Sequence, residues 1–402
     1  METTMTSIKL SWNIGLRGGR PALLLLFVMA LAAPVHLRAL PRFSLLTGTR
    51  CSACHFNPQG SGIRNELGWS TMNEIGAIQP SMIGLDSLFA AESNTFWKGL
   101  VTVGLDARVQ YADFGAQTGS EIKVMQLSPA IAIQPLDELT VYGSFNFADK
   151  KYLGDKLAVQ AYQGQSSFDL AVQYQPGITL PSIRVGHIQP SVGIRQDDHT
   201  MFVRQETTEF GTLPILPPNY NEWGAELTYE GTRDFTVNAG VYSAKNLGQN
   251  FDVGVDSAKP SFSGRLIYWP QLLDEGLNGM VGGSLLANGE FTMINAFAGI
   301  GLSDRAALYG EGMFTHTGTG YKLGTTMIYG TYQLTPWMSL EGRYERGTSK
   351  ETAESPVVDA NSYVIGSQFF VFPYFEIRPE YRYRKTAVSS SGQFALQVHL
   401  FY

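Results

Sequence analysis

From Gly99 to the end of the chain, apolar and polar residues alternate with a period of two. Val101, Val103, Leu105, Ala107, Val109 and Tyr111 share one face of an extended segment, opposite Thr102, Gly104, Asp106, Arg108 and Gln110. The pattern sharpens near the C-terminus, where Phe375, Ile377, Pro379, Tyr381 and Tyr383 alternate with Glu376, Arg378, Glu380, Arg382 and Arg384. Side chains of a strand point alternately to its two faces, so this period predicts β-structure. An apolar face opposite a run of charges suits a strand with lipid on one side and a polar lumen on the other. A soluble sandwich would show the same alternation with the polar face outward, so strand number and length carry the distinction.

Strands are expected to begin near positions 99, 122, 138, 165, 182, 222, 234, 260, 276, 290, 305, 322, 337, 361, 374 and 391. Short connections (135–138, 175–181, 231–234, 270–276, 303–305, 335–337 and the Pro373 corner) alternate with mostly longer ones (149–164, 190–221, 244–259, 347–360). Short turns at one end and long loops at the other are the pattern of a transmembrane barrel. An even strand count returns the chain to its starting side for closure. The last strand presents Phe394, Leu396, Val398, Leu400 and Tyr402 on one face and ends on an aromatic. It resembles the C-terminal assembly signal of bacterial outer-membrane proteins. Trp223, Tyr229, Tyr268, Trp269, Trp337 and Tyr344 near strand ends suit interfacial girdles. The expected fold is an all-β transmembrane antiparallel barrel of about sixteen strands over residues 98–402.

Composition agrees. Of 402 residues, 16% are charged, 12% are aromatic and 43 are glycine, against about 25% charged in ordinary soluble domains. A mean hydropathy of -0.06 excludes a bundle of membrane helices. The aromatic content and sparse charge exclude a disordered chain. A net charge of -6 excludes a nucleic-acid partner. Lys9, Arg17 and Arg20 precede an apolar run from Ala22 to Val35, too short to span a bilayer and matched to a signal peptide. Residues 1–39 are therefore expected to be an export signal, cleaved at Ala30-Leu31-Ala32 or after Ala39. The expected destination is the bacterial outer membrane.

Export leads to an oxidising compartment, where paired cysteines usually form disulfides. The only two cysteines here fall in one pentapeptide, Cys51-Ser52-Ala53-Cys54-His55. This C-x-x-C-H spacing is the attachment pattern of haem c: two thiols reach the two vinyl groups, and the adjacent imidazole becomes the proximal iron ligand. Cys51 and Cys54 are the expected covalent attachment points for one haem, with His55 on the iron. Met72 and Met82 are candidate distal ligands; a barrel histidine or an open site are the alternatives. Asn57-Pro58 and the following glycines predict a tight loop, and a short helix is expected over about 63–75. The monohaem segment, residues 40–97, is too short for an independent core. It needs the haem, the barrel wall or both, and is expected to plug the lumen.

Loop 190–221 is the longest connection and would be the third external loop. It carries Arg195, Asp197, Asp198, His199, Arg204, Glu206 and Glu209. Hard carboxylates beside an imidazole suit transient ferrous iron, so Asp197, Asp198 and His199 form a candidate entry site; a salt-bridged constriction is the alternative. His187, His316 and His399 lack a nearby carboxylate pair in sequence and are assigned no function. The lumen-side acids Asp106, Glu226, Glu311, Glu341, Glu376 and Glu380 would either draw a cation inward or pair with the arginines among them.

Signal peptide, one C-x-x-C-H and a sixteen-strand barrel together resemble the fused outer-membrane monohaem cytochrome–porin family, which includes ferrous-iron oxidases. In sequence the likeness centres on Leu40-Pro41-Arg42-Phe43 through His55. Pro41-x-Phe43 and Thr47-Gly48 match the family's Pro-x-Phe-Ala-Arg-Gln-Thr-Gly run, while Ser44, Leu45 and Leu46 depart from it. Leu67-Gly68 stands roughly where the family has Phe-Gly-Arg, and the 57–62 turn is inserted by comparison. The resemblance implies transfer of electrons from extracellular Fe(II) through haem c to a periplasmic c-type cytochrome, an Fe(II):cytochrome c oxidoreductase activity. Two alternatives stand beside it: an outward conduit to an extracellular acceptor, and a non-redox solute porin with an N-terminal plug.

Overall fold

The computed structural model describes residues 41–60, 62–73, 75–84, 91–113, 119–153, 158–159, 166–195, 201–209, 211–273, 277–302, 305–352 and 354–402. The expected signal peptide lies outside these residues, as do Asp197, Asp198 and His199. Among the described residues, sixteen antiparallel strands close into a barrel. They are β1 (Val101–Asp113), β2 (Ser120–Leu136), β3 (Leu139–Phe145), β4 (Phe168–Tyr174), β5 (Ser182–Ile188), β6 (Glu222–Tyr229), β7 (Phe235–Tyr242) and β8 (Ser261–Tyr268). Then follow β9 (Leu277–Asn288), β10 (Phe291–Leu302), β11 (Ala306–His316), β12 (Lys322–Thr335), β13 (Met338–Lys350), β14 (Val358–Phe372), β15 (Phe375–Thr386) and β16 (Ser390–Phe401). Each strand pairs with its chain neighbours, and β16 pairs with β1 from Asp106↔Phe401 to Asp113↔Phe394, which leaves no open edge.

The two faces of each strand settle the choice between barrel and sandwich. On β15, Tyr381 and Tyr383 are 51% and 41% exposed, whereas Glu376, Glu380 and Arg382 are at most 7% exposed. The same inversion recurs elsewhere: Val281, Ile294, Phe314 and Ile328 face outward, while Ser284, Asn295, Glu311 and Thr325 are buried. Apolar outside and polar inside is the arrangement a lipid belt requires. Among the described residues no helix is long and apolar enough to cross a membrane; the strands do the crossing.

Residues before β1 pack against the inner wall at three separated places. Helix α1 (Pro41–Thr47) buries Leu45 and Leu46 with Ile267, Met280, Phe297, Tyr309 and Met327. Ile63 packs with Ala132, Tyr142, Ala171, Ile188 and Tyr242. Helix α2 (Glu66–Asn73) buries Trp69 and Met72 with Phe370, Tyr374 and Phe401. These contacts lie on different sides of the circumference, so the segment spans the lumen. Leu45 meets β10 near its end, where the backbone at Gly301 leaves no room for a β-carbon beside the Leu45 carbonyl. Ala77 and Ile78 donate backbone N–H groups to Phe370 and Val371 at the end of β14. Both places are at the short-turn end of the barrel.

Two aromatic assignments change. Trp269 turns inward, donating Nε1–H to Thr236 Oγ1 at 3.1 Å, and Trp337 packs on the cluster around Trp69. Both leave the expected lipid-interface girdle because the plug offers them apolar contacts. The terminal Tyr402 ring likewise packs edge-on against Trp69, centroids 5.7 Å apart.

Candidate functional site

The C-x-x-C-H pentapeptide forms a single 3₁₀ turn, Cys51–Ala53, in which the N–H groups of Cys54 and His55 both bond to the Cys51 carbonyl at 3.2 and 3.0 Å. This brings the two cysteines and the histidine onto one compact turn. Asn65 fastens the turn to the chain that follows: its Nδ2 donates to Ala53 O at 3.0 Å, and its backbone N–H to Cys54 O at 3.1 Å. Asn65 Oδ1 also accepts the Gly68 N–H at 2.9 Å, which caps α2. The helix therefore starts at Glu66 rather than near residue 63. Gly68 sits directly on the turn, where a β-carbon would overlap the Cys54 carbonyl. His55 is 4% exposed and forms a β-bridge with Arg64, whose guanidinium lies 4.4 Å from the Phe401 ring centroid.

Both thiols are free. Ser44 Oγ lies 3.6 Å from Cys51 Sγ. Burial pushes the Cys54 thiol above its ordinary value, and removal from bulk water does the same to Cys51, opposed by the Ser44 contact and the nearby Arg265 charge. Both therefore remain protonated at neutral pH. Cys51 opens into a cleft shared by three parts of the chain: Arg50 and Gln59 from the plug, Ile194 and Arg195 from the long loop, and Arg265, Ile267, Trp269 and Met280 from the wall. The donor set fits haem c. Two thiols and an imidazole share one turn, which is the donor set haem c takes; of the three, Cys51 lines the cleft, beside Arg50, Arg265 and Glu230.

No protein-family model matches this chain, and no curated protein matches it. Solved structures match at the level of fold. A loop-deletion mutant of OmpT, an outer membrane protein of Vibrio cholerae, superposes with a TM-score of 0.50 at 13% identity, over 75% of this chain and 99% of that one. For the outer membrane channel DcaP of Acinetobacter baumannii the values are 0.52, 10%, 77% and 99%. For OprB of Pseudomonas putida they are 0.50, 10%, 75% and 94%. The fold is that of a bacterial outer-membrane porin.

Inside this barrel, lumen-side charges are paired. Arg184 Nη2 meets Glu226 Oε1 at 2.8 Å, and Arg378 bridges Glu341 and Glu380 at 3.1 and 3.4 Å. Asp106 holds Arg108 at 2.9 Å. The Arg184–Glu226 and Arg378–Glu341 pairs join different strands, whereas Asp106–Arg108 and Arg378–Glu380 lie within one strand. Wall acids also hold backbone. Glu226 accepts the Ser191 N–H at 3.1 Å, Glu311 the Ile194 N–H at 3.3 Å and Glu345 the Phe202 N–H at 2.7 Å. Three wall carboxylates thus pin the long loop across the barrel lumen, and Phe202, Ile215 and Tyr220 are buried there.

The other sequence candidates separate. Met72 is buried among Trp69, Ile75, Phe370, Tyr374 and Phe401. Met82, 75% exposed on the 3₁₀ turn Pro80–Ile83, points away from the core. Among the described residues no three metal-binding side chains gather to hold an ion. His399, which has no acidic neighbours in sequence, lies between two: Nδ1 is 2.9 Å from Glu376 Oε1 and Nε2 3.1 Å from Asp106 Oδ1. Asp106 is distant in sequence and arrives only through the β16–β1 closure, so no local signal could have found it. Period-two alternation puts Glu376 and His399 on inward faces, and the β15–β16 register sets them directly opposite one another.

Proposed function

We propose that this protein is an outer-membrane electron-transfer porin, in which Cys51 and Cys54 bind one haem c covalently and His55 is its proximal ligand. When bound, haem c supplies a one-electron couple between ferric and ferrous iron. The observation that carries the reading is the C-x-x-C-H turn, held inside the lumen with both cysteines and the histidine on one turn. The plug and the pinned loop occupy the path that a diffusing solute would take through the lumen. What is moved is then an electron: each ferrous ion entering from the loop side gives up one and leaves as ferric ion. The electron departs at the short-turn end to an oxidised periplasmic c-type cytochrome. An outward conduit would use the same residues with donor and acceptor exchanged.

A non-redox solute porin with a plug is the second reading, favoured by the fold it shares with an outer membrane channel. Haem staining of the purified, denatured protein separates the two. Covalent haem that disappears in Cys54→Ala supports the cytochrome reading; a wild-type chain without haem stain overturns it in favour of the porin. Anaerobic stopped-flow mixing with Fe(II) then tests the donor. Haem that stays ferric under excess Fe(II) removes iron as the donor and leaves the outward direction.

A further inference from the structure

We propose that a groove on the lipid-facing wall, at the long-loop rim of β5–β7, seats one acyl chain of a phosphate-bearing lipid of the outer leaflet, with Lys259 on the phosphate. The inference stands on the outer-membrane fold and is independent of the haem reading. The groove has a volume of about 600 Å³, and its lining includes Val185, Trp223, Ala225, Val241, Lys259 and Pro260. Ala225 is its floor: on β6 it pairs in register with Val185 of β5 and Val241 of β7. Both valines and Trp223 are exposed on the outer face. A methyl group among three larger apolar side chains leaves a furrow in the wall. Lys259 and Pro260 immediately precede β8, at its long-loop end, and so line the rim end of that furrow.

Two aromatic side chains set the depth of that end. His187 faces outward, since it pairs in register with the exposed Trp223 and Leu170. Its ring lies between Phe168 and Trp223, with centroids 4.5 and 5.4 Å away, and Nδ1 is 3.0 Å from the Phe168 carbonyl oxygen. An imidazole is costly among acyl chains, and an indole favours the boundary between headgroups and hydrocarbon. The rim end of the groove therefore sits at headgroup depth. The side chain of Lys259 is 67% exposed there and pairs with Asp256 at 3.0 Å. Exposed pairs of this kind contribute little, and Asp256 does not line the groove. A phosphate brings more charge and several acceptor oxygens to the same ammonium group. Apolar walls below a lysine thus match an acylated phosphate lipid. A second copy of the chain fits less well, because the outward residues of β5–β7 include no acid to meet Lys259.

The test uses the full-length barrel purified from outer membranes, each variant confirmed as folded by heat-modifiable gel mobility. The probes are diphosphorylated lipid A and the same lipid stripped of its phosphates, with bound lipid counted by native mass spectrometry across a titration. The wild type is expected to keep one diphosphorylated lipid A through detergent exchange. It should bind the phosphate-free lipid at least about tenfold more weakly, the weight of one charge-assisted contact. Ala225→Trp fills the furrow and Lys259→Glu reverses the charge; each should weaken binding of the phosphorylated lipid by a similar factor. Ile328→Trp, on the outward face of β12, should bind as the wild type does. Lys259→Glu lies outside the strands and decides the matter should the Ala225→Trp barrel not fold. Equal affinity for the two lipids, or unchanged binding in either groove variant, overturns the proposal. So does a wild type that elutes as an oligomer and becomes monomeric in Ala225→Trp, which would make a second copy the occupant.

Discussion

Asn65 joins the haem-attachment turn to helix α2 with three hydrogen bonds, two from its side chain. Replacing it with alanine removes the helix cap, a loss of about 0.5–2 kcal/mol, and also orphans the Ala53 carbonyl. Asn65→Ala is expected to lower haem loading and expose the plug to protease, read by in-gel staining and limited proteolysis against the wild type. Gly68→Ala should be worse, because its methyl group would overlap the Cys54 carbonyl; full haem loading in that variant would contradict the close approach. In haem-free protein both thiols are raised above the ordinary range, chiefly by burial. Their alkylation should therefore be slow at neutral pH and rise only as pH passes the ordinary thiol range, when the thiolates form. Fast labelling at neutral pH would show the turn open to water. At this scale the attachment residues were legible because the chemistry needs them adjacent in sequence. His399 between Glu376 and Asp106 was not, because that site assembles across three strands.

The strand boundaries were readable to within a few residues because lipid and lumen impose opposite polarity on alternate side chains, and turns interrupt the alternation. Helix α2 was placed early by three residues, since the Asn65 side chain rather than the apolar pattern decides where it begins. The fate of the long loop depended on partners elsewhere in the chain: Ser191, Ile194 and Phe202 each donate a backbone N–H to a glutamate on a different strand. Glu226 is the busiest of these anchors, also accepting Arg184 at 2.8 Å and the Tyr242 hydroxyl at 2.6 Å. Glu226→Ala would leave Arg184 buried without its carboxylate, a loss of roughly 3–5 kcal/mol. The expected result is a lower midpoint in urea unfolding of the barrel and faster proteolysis of the loop. A midpoint equal to that of the wild type would show that the pair and the loop anchor contribute nothing net.

For the whole molecule the decisive relation is between plug and wall. Leu45 is completely buried against β9–β12, so Leu45→Ala should cost about 2–5 kcal/mol of plug docking. With plug and loop both inside, the full chain should conduct ions across planar bilayers far less than an open sixteen-strand channel, and Leu45→Ala should conduct more than the wild type. Open-channel conductance in the wild type would show that the segment does not block the lumen. By itself the sequence determined the sixteen strands, the alternation of their connections and the attachment pentapeptide. Those features are written in local spacing, which strand geometry and thioether chemistry each enforce over a few residues. Only the tertiary structure decided that Glu226 and Glu341 pair with arginines while Glu376 pairs with His399, that Trp269 and Tyr402 leave the lipid interface for the plug, and that Met72 is buried in the cluster around Trp69. Each of those outcomes depends on which distant side chains the closed barrel brings within contact, and a period of two gives the face of a residue without naming its partner across the lumen.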